Sequence, residues 1–264
     1  MKWARFEADG AIVYGIVEGE EIAEVRGDPF SDYALTGNRQ PLAEAKLAVP
    51  VIPRTFYAAG LNYAAHVREQ AERRGETPNF PPQADIGYRA NNALIAHGEP
   101  IVIPHDATDQ VEYEAELVVV IGKQARRLSE ADALSCVLGY TIGNDVSERT
   151  WQRADRTLWR AKNTDSFKPM GPWIETDVNL EDMRTAVRLN GQTTIEFETN
   201  AMLFGVAHFI SRMSRYLTLY PGDMVWMGTE GKSPQMKDGD VVDIEISGIG
   251  VLTSPVIRET AADD

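Results

Sequence analysis

The segment Val111–Ile121 limits the possible folds more than any other part of the sequence. It ends in five consecutive aliphatic residues, Leu117–Ile121. Such a run is typical of a β-strand that enters a hydrophobic core. The acidic residues Glu112, Glu114 and Glu116 come just before it at a spacing of two, and on a continuous strand such side chains point to one face. We therefore predict a buried strand with a row of carboxylates at its beginning.

Carboxylates at the threshold of a buried strand repel one another unless a cation lies between them. Mg²⁺ and Mn²⁺ prefer oxygen ligands of this kind. Asp145 follows the apolar stretch 139–143 and can supply a further carboxylate. The pattern therefore predicts a metal site. The alternative is a solvated acidic strand face, which is ordinary in a chain with a net charge of −14.

A second candidate site lies on a predicted helix over residues 64–74, with Asn62 as its N-cap. His66 and Glu69 are three residues apart and share a face of that helix. A carboxylate beside an imidazole orients it and raises its basicity, which suits a general base that activates water. The alternative is an ordinary pair on a helix surface. His208, within an apolar segment, is interpreted as a core histidine, and Cys136 as core packing.

The segment that follows this helix, from Gly75 to about Asp85, contains three prolines and cannot form regular structure. A loop of this length in a compact domain is often functional or mobile. We expect it to be a lid over the site.

The remaining pattern predicts an α+β, β-rich fold, because strands outnumber helices and do not alternate with them regularly. One predicted helix begins at the capping sequence Ser129–Asp132 and ends at Gly139. A second predicted helix covers residues 199–217. Pro50 and Pro53 suggest a join. We therefore predict a small strand-rich N-terminal region, residues 1–50, and a catalytic domain, residues 51–264. The predicted strands include residues 11–17, 224–227 and 241–246.

The charge balance excludes some functions. Lys and Arg number 26 against 40 Asp and Glu. Such an acidic surface argues against nucleic-acid binding and against docking on anionic membranes. No apolar run reaches the roughly 20 residues that cross a bilayer, and the first residues lack the apolar core of a signal peptide. With one cysteine and no internal disulfide, these features predict a cytoplasmic protein.

The acidic strand and the His66–Glu69 pair belong to a longer series of motifs that resembles the fumarylacetoacetate hydrolase family. The matches run from about residue 56 to 252 in the family's order and spacing. They are Gly60-Leu61-Asn62-Tyr63-x-x-His66-x-x-Glu69, Glu112–Leu117, Gly139-Tyr140-Thr141, Asn144-Asp145-Val146-Ser147-x-Arg149-x-x-Gln152, Ala161-Lys162-x-x-Asp165-x-Phe167, Gly171-Pro172, Asn190-Gly191, Leu219-x-Pro221-Gly222-Asp223 and Gly228-Thr229. The family's usual residues are replaced at Glu112, Arg89, Ile195 and Glu230, which leaves the substrate open.

The resemblance implies a mixed β-sandwich or roll, preceded by a small N-terminal domain and often assembled as a homodimer. It implies three metal ligands, with Mg²⁺ expected and Mn²⁺ as the alternative: Glu114, Glu116 and Asp145. It also implies three catalytic residues, the water-activating dyad and an oxyanion-stabilising lysine: His66, Glu69 and Lys162. The substrate-binding residues would be Arg149, Gln152 and Thr229.

The implied reaction is hydrolysis of a C–C bond in an acylpyruvate-type 2-oxo acid, a small molecule, through a metal-stabilised enolate. The same site can serve an oxaloacetate-type decarboxylase. It can also serve an isomerase of the 2-hydroxyhepta-2,4-diene-1,7-dioate or 5-carboxymethyl-2-hydroxymuconate type. The dyad favours hydrolysis because oriented water activation matters less for decarboxylation. A binding protein without turnover and a purely structural role are the alternatives outside enzymes.

Overall fold

The computed structural model describes residues 1–231 and 233–260, which form mainly β-structure with four α-helices. The helices are α1 (Ala64–Arg74), α2 (Arg149–Ala154), α3 (Trp159–Asn163) and α4 (Val206–Tyr216). The strands are β1 (Lys2–Ala8), β2 (Ala11–Glu18), β3 (Glu21–Arg26), β4 (Ala34–Pro41), β5 (Leu47–Ala48), β6 (Phe56–Ala59), β7 (Ile86–Tyr88), β8 (Leu94–Ile95), β9 (Ile101–Ile103), β10 (Val111–Glu112), β11 (Ala115–Ile121), β12 (Val137–Asn144), β13 (Ser147–Glu148), β14 (Lys168–Glu175), β15 (Arg184–Leu189), β16 (Gln192–Glu198), β17 (Met224–Trp226), β18 (Val241–Ile246) and β19 (Gly250–Arg258). The predicted β-rich α+β fold is confirmed.

One large sheet runs through the molecule in the order β4-β3-β2-β1-β14-β12-β11-β17-β6-β7. Its first four strands are an antiparallel meander whose first hairpin turns at Asp9 and Gly10, both at positive φ. Such a two-residue turn matches the twist of the flanking strands. Strand β1 then pairs with β14, so the N-terminal strands extend the same sheet that carries the acidic strand.

A second sheet, in the order β16-β15-β18-β19-β9, packs against the large one. Strand β18 alternates as predicted, with Val242, Ile244 and Ile246 buried in the main core. Strand β11 lies in the interior of the large sheet between β12 and β17. Leu117 contributes to the main core and Val118 to a second core on the opposite face, which explains why the run is apolar at every position.

Two predicted helices are wrong in extent. The Ser129–Asp132 sequence forms a local turn and caps no α-helix. Ser129 Oγ donates a hydrogen bond to Asp132 Oδ2 and accepts one from the Asp132 N–H. One 3₁₀ turn, Ala133–Cys136, follows, and the chain then enters β12. Gly139 lies within that strand and does not end a helix. The strand needs a glycine at this position because a Cβ would come 2.5 Å from Glu175 O. Pairing with β11 and β14 therefore overrides the local helix signal.

The helix predicted over 199–217 begins only at Val206, after Gly205 as N-cap. The preceding residues are held as irregular chain, because Thr199 Oγ1 bonds Thr185 Oγ1 and the Asn62 amide bonds both the N–H and the C=O of Phe204. In the described part of the chain, no helix combines the length and the apolar character that spanning a bilayer requires.

Candidate active site

Several strand ends meet at one edge of the large sheet. The parallel strands β6 and β17 end there, and their antiparallel neighbour β11 begins there. Strand β12, antiparallel to β11, ends there as well and leads into Asp145. This arrangement gathers Gly60–Asn62, Glu114, Glu116, Asp145, Gly228 and Thr229 around one cavity of about 200 Å³.

The acidic segment is not one continuous strand as predicted. It breaks between β10 and β11, because the Glu114 N–H donates to Asn144 Oδ1 and Glu114 O accepts from the Asp145 N–H. Glu114 and Glu116 therefore share the cavity, whereas Glu112 turns toward Arg149, with Oε2 2.7 Å from Nε. The prediction that all three glutamates point to one face is wrong for Glu112.

Three carboxylates form the centre of the site. Oxygen atoms of Glu114, Glu116 and Asp145 lie within 4.8 Å of one another, and all three side chains are buried. A buried set of hard oxygen ligands fits a divalent cation such as Mg²⁺ or Mn²⁺. The pKa of Glu116 supports this fit, because burial and the charges of Asp145 and Glu114 raise it to about 8. A cation between the carboxylates would relieve their mutual repulsion.

Three buried cationic side chains and the largely buried Arg89 surround the carboxylates. Lys162 Nζ lies 2.5 Å from Glu114 and 2.7 Å from Asp145. Asp145 also pairs with Lys168 at 2.8 Å and, through two hydrogen bonds, with Arg89. Arg149 Nη1 lies 2.7 Å from Glu114. Since such buried charges require partners, these cations define how the carboxylates are oriented.

The neighbouring cations give the three carboxylates different pKa values. Burial opposes ionisation of Glu114, but Lys162 and Arg149 outweigh it and lower its pKa to about 2. Burial likewise opposes ionisation of Asp145, but Arg89, Lys162 and Lys168 hold its pKa well below the usual range. Two of the three groups are therefore ionised at neutral pH, and Glu116 holds a proton.

The helix carrying the predicted dyad spans Ala64–Arg74, as predicted, although Tyr63 and not Asn62 is its N-cap. His66 Nδ1 lies 3.3 Å from Gly231 O and 3.5 Å from Glu69 Oε2. Because both are acceptors, Nδ1 carries the proton and Nε2 is the basic nitrogen. The Gln70 amide nitrogen lies 2.9 Å from Nε2 and donates to it.

Glu69 is shared between the His66 imidazole and the Arg73 guanidinium. Its Oε1 lies 2.6 Å from Arg73 Nη2, and Arg73 Nη1 in turn reaches Glu112 at 3.2 Å. Burial opposes ionisation of Glu69, but its bond with His66 and the charge of Arg73 lower its pKa. The carboxylate is thus ionised beside the imidazole, as a general-base dyad requires.

Of the other predicted residues, Gln152, Thr229 and Lys162 line the same cavity as the carboxylates. Arg149 lies behind Glu114 and bonds Gln152 Oε1 at 2.8 Å. Sequence reasoning missed Lys168, Gln70 and Arg73. The available signal for Lys168 was a lysine at the start of a strand that is apolar up to its last residue, Glu175, which is typical of a buried, paired charge.

The other histidines lie outside this cavity. The interpretation of His208 as a core residue is wrong: its side chain is 39% exposed, stacks on Phe204 and lies 3.2 Å from Glu130. Its helix turns the neighbouring Phe209 and Ile210 inward instead. Cys136 is buried in the main core, as predicted.

Divalent-metal affinity is expected to rise with pH up to about 8, because Glu116 must lose its proton before it can act as a ligand. Below that pH the affinity should change by up to about tenfold per pH unit. Calorimetric titration with MgCl₂ in buffers of different ionisation enthalpy counts the protons released. We expect about one proton per metal near neutral pH and fewer above pH 8. Binding without proton release near neutral pH would contradict this assignment.

Comparison with known proteins identifies the family of this chain. The profile described as "Fumarylacetoacetate (FAA) hydrolase C-terminal" matches residues 55–257, and "Rv2993c-like, N-terminal" matches residues 1–50. The chain is 38% identical to 2,4-didehydro-3-deoxy-L-rhamnonate hydrolase of a Sphingomonas species, over 97% of this chain and 96% of that protein. Other relatives are named as an isomerase/decarboxylase and as oxaloacetate tautomerases.

Solved structures share the whole fold. The crystal structure of 5-carboxymethyl-2-hydroxymuconate delta-isomerase from Mycobacterium smegmatis is 36% identical, with a TM-score of 0.88 over 98% of this chain and all of that chain. Maleylpyruvate hydrolase from Sphingobium sp. SYK-6, solved with manganese(II) and pyruvate, is 25% identical with a TM-score of 0.79 over the same shares. A family profile that covers most of the sequence, together with these relatives, identifies the chain as a member of the fumarylacetoacetate hydrolase family of enzymes.

Proposed function

We propose that the protein is a metal-dependent hydrolase that cleaves a C–C bond in an acylpyruvate-type 2-oxo acid. One observation carries this proposal. His66 of the His66–Glu69 dyad and a buried three-carboxylate cluster line the same cavity of about 200 Å³. Hydrolysis needs both an activated water and a stabilised enolate leaving group, and the cavity offers residues for each.

Glu114, Glu116 and Asp145 would hold the metal, Mg²⁺ in our proposal and Mn²⁺ as the alternative. The ion would supply Lewis-acid stabilisation to the carboxylate and keto oxygens of a 2-oxo acid. The chemistry of the donor set supports this choice, because three carboxylates and no sulfur or imidazole suit hard cations.

His66 acts as the general base. Once the Gln70 amide releases its hydrogen bond to Nε2, that nitrogen takes a proton from water while the water oxygen adds to the distal carbonyl, and Glu69 with Gly231 O holds the Nδ1 proton in place. Lys162 donates hydrogen bonds to the oxyanion that develops on that carbonyl. The C–C bond then breaks with its electron pair left on the pyruvate enolate, and the other product is a carboxylic acid.

Three polar residues orient the substrate in this proposal. Gln152 and Thr229 present their side chains to the cavity. Arg149 contributes through Gln152 and Glu114, which it bonds directly. The loop over residues 75–85, irregular throughout and following directly on α1, would close over the bound substrate as a lid.

Proton transfer without hydrolysis is the second candidate, as in a decarboxylase or isomerase. Its support is the similarity to an M. smegmatis protein named as an isomerase. The two candidates differ in the use of water, because only hydrolysis consumes it.

The experiment that tests the proposal is pyruvate release with Mg²⁺, measured on an acylpyruvate and on oxaloacetate side by side, with and without chelator. Chelator-sensitive pyruvate from the acylpyruvate supports the hydrolase. Release from oxaloacetate alone would replace it with a decarboxylase. Metal binding with no pyruvate from either would favour the isomerase, and a continuous assay of keto–enol conversion would then be the direct test.

We propose further that residues 1–50 form a small N-terminal region, that residues 51–264 form the catalytic domain, and that the protein is a cytoplasmic homodimer. The last four residues of that domain lie outside those described. The separate family matches, to residues 1–50 and 55–257, support the division. Light scattering coupled to size exclusion tests the dimer: a mass equal to one chain would contradict it.

A further inference from the structure

A row of ion pairs connects the general-base dyad to the carboxylate cluster. Arg73 is its central member, with Nη2 2.6 Å from Glu69 Oε1 and Nη1 3.2 Å from Glu112 Oε1. From Glu112 the row continues through Arg149, whose side chain lies 2.7 Å from Glu112 and 2.7 Å from Glu114. The row therefore joins the group that would activate water to a side chain that would hold the metal.

Arg73 is the closest cationic partner of Glu69. Both carboxylate oxygens of Glu69 are buried, and within residues 1–231 and 233–260 neither accepts a well-aligned hydrogen bond. His66 Nδ1 lies 3.5 Å from Oε2, beyond ordinary hydrogen-bond length, whereas Arg73 Nη2 lies 2.6 Å from Oε1. Because a buried charge needs a partner, the guanidinium of Arg73 determines where this carboxylate points.

Helix α1 has few other contacts that fix it in place. Three of its 11 residues are buried, so little apolar area holds it against the sheet: His66, Val67 and Ala71. Among the residues that the structure describes, Arg73–Glu112 is the one ion pair between this helix and another element. Arg73 comes about one helical turn after Glu69, so this pair anchors the half of the helix that carries the dyad's carboxylate.

We infer that Arg73 is a positioning residue, which holds Glu69 against the imidazole and ties helix α1, through Glu112, to the segment that carries the carboxylate cluster. This inference rests on the proposed function, because it assigns Arg73 a part in the work of the general base. Arginine suits the position, since its rigid fork presents two nitrogens to two different carboxylates at once. A lysine offers a single ammonium point charge instead.

The first test needs neither metal nor substrate. Long-range ¹H–¹⁵N NMR of the histidine rings at about pH 8.5, above the ordinary pKa of histidine, reports which ring nitrogen carries the proton. The wild type should show the His66 proton on Nδ1, with the signals assigned by their loss in His66→Ala. Arg73→Met should show a mixture of both ring forms, because Glu69 without its cation turns away from the ring.

The matched control is Arg74→Met. It removes the same charge from the next residue of the same helix, which is exposed and forms no ion pair in residues 1–231 and 233–260. Its His66 ring should keep the wild-type form.

The second test is kinetic. With Mg²⁺ and an acylpyruvate, Arg73→Met should lower kcat on the order of 10-fold to 100-fold, since a misplacement of about 1 Å at a catalytic group costs up to about 100-fold. KM and Mg²⁺ affinity should stay unchanged, because the substrate and the metal keep their own contacts. Arg73→Lys should lie between Arg73→Met and the wild type, and Arg74→Met should match the wild type.

Glu112→Asp tests the tie to the sheet. It shortens the side chain by one methylene and keeps the charge beside Arg149, so it should lower kcat by reducing the reach to Arg73. In the Arg73→Met background the same change should cause no further loss, because residues that act through one contact are not additive.

Two results would overturn the role of Arg73. One is a wild-type ring form together with a wild-type kcat in Arg73→Met. The other is a kcat loss in the double variant equal to the product of the two single losses. Absence of hydrolysis in the wild type would instead overturn the proposed function, and the NMR comparison would still decide whether Arg73 positions the dyad.

Discussion

Replacing Glu116 with glutamine is expected to abolish tight divalent-metal binding and, at the same time, to stabilise the metal-free protein above neutral pH. The loss of a direct carboxylate ligand should weaken binding by at least about 100-fold, since changes to outer-shell partners alone cost 10-fold to 100-fold. All metal-dependent turnover should disappear with it.

The gain in stability follows from the pKa of Glu116, which burial and the two neighbouring carboxylates raise to about 8. Between its ordinary value and 8, the folded protein binds this proton more tightly than the unfolded chain does. The free energy of unfolding therefore falls as the pH rises through that window. Glutamine mimics the protonated side chain at every pH and can still accept the Gly228 N–H, which lies 2.8 Å from Glu116 Oε2.

Asp145→Asn is the informative contrast, because Arg89, Lys162 and Lys168 all pair with this buried carboxylate. Removing its charge leaves Arg89 and Lys168 without a carboxylate partner, although Lys162 keeps Glu114, and breaking a buried pair in this way typically costs about 3–5 kcal/mol. Thermal melts of the metal-free proteins at about pH 9, combined with titrations of Mg²⁺, measure both effects. We expect Glu116→Gln to melt above the wild type and Asp145→Asn well below it. If Glu116→Gln still binds metal tightly, the assigned centre is wrong.

Much of the site was predictable because its chemistry repeats along the chain at short spacing. The i, i+3 pair His66–Glu69 faces one way on any helix, so the local sequence was sufficient to predict that the two side chains meet. Glu114 and Glu116 were found in the same way. Glu112 was misplaced because the break in the strand depends on Asn144 and Asp145, which lie about thirty residues away. Spacing alone contains no information about such a contact.

The cationic half of the site was the harder part to predict for the same reason. Lys168 and Arg89 approach Asp145 from two different elements of the sheet edge, and nothing near either residue indicates its partner. The fold shows the same contrast between features that the local sequence determines and features that depend on distant contacts. The alternating strand Val241–Ile246 was predicted from its local pattern, whereas residues 137–139 at the start of β12 were predicted as the end of a helix, because their strand character comes from pairing with β11 and β14.

Replacing His66 with alanine is expected to reduce acylpyruvate hydrolysis by about 10²-fold to 10⁴-fold, the usual contribution of a general base. Metal binding should be unchanged, because the residues that would hold the metal are the three clustered carboxylates and His66 is not one of them. Decarboxylation of oxaloacetate, if the protein catalyses it, should be partly retained, since loss of CO₂ needs no activated water. The predicted loss is therefore specific to one reaction.

Steady-state rates on both substrates, with Mg²⁺ affinity measured on the same preparations, test this expectation. Added imidazole should restore part of the lost hydrolysis by entering the space that the side chain leaves, and it should have no effect on the wild type. His208→Ala is the matched control, because His208 also pairs with a glutamate but lies outside the cavity; its hydrolysis rate should match the wild type. Unchanged hydrolysis in His66→Ala would show that the base is another group, and the assignment of the dyad would be wrong.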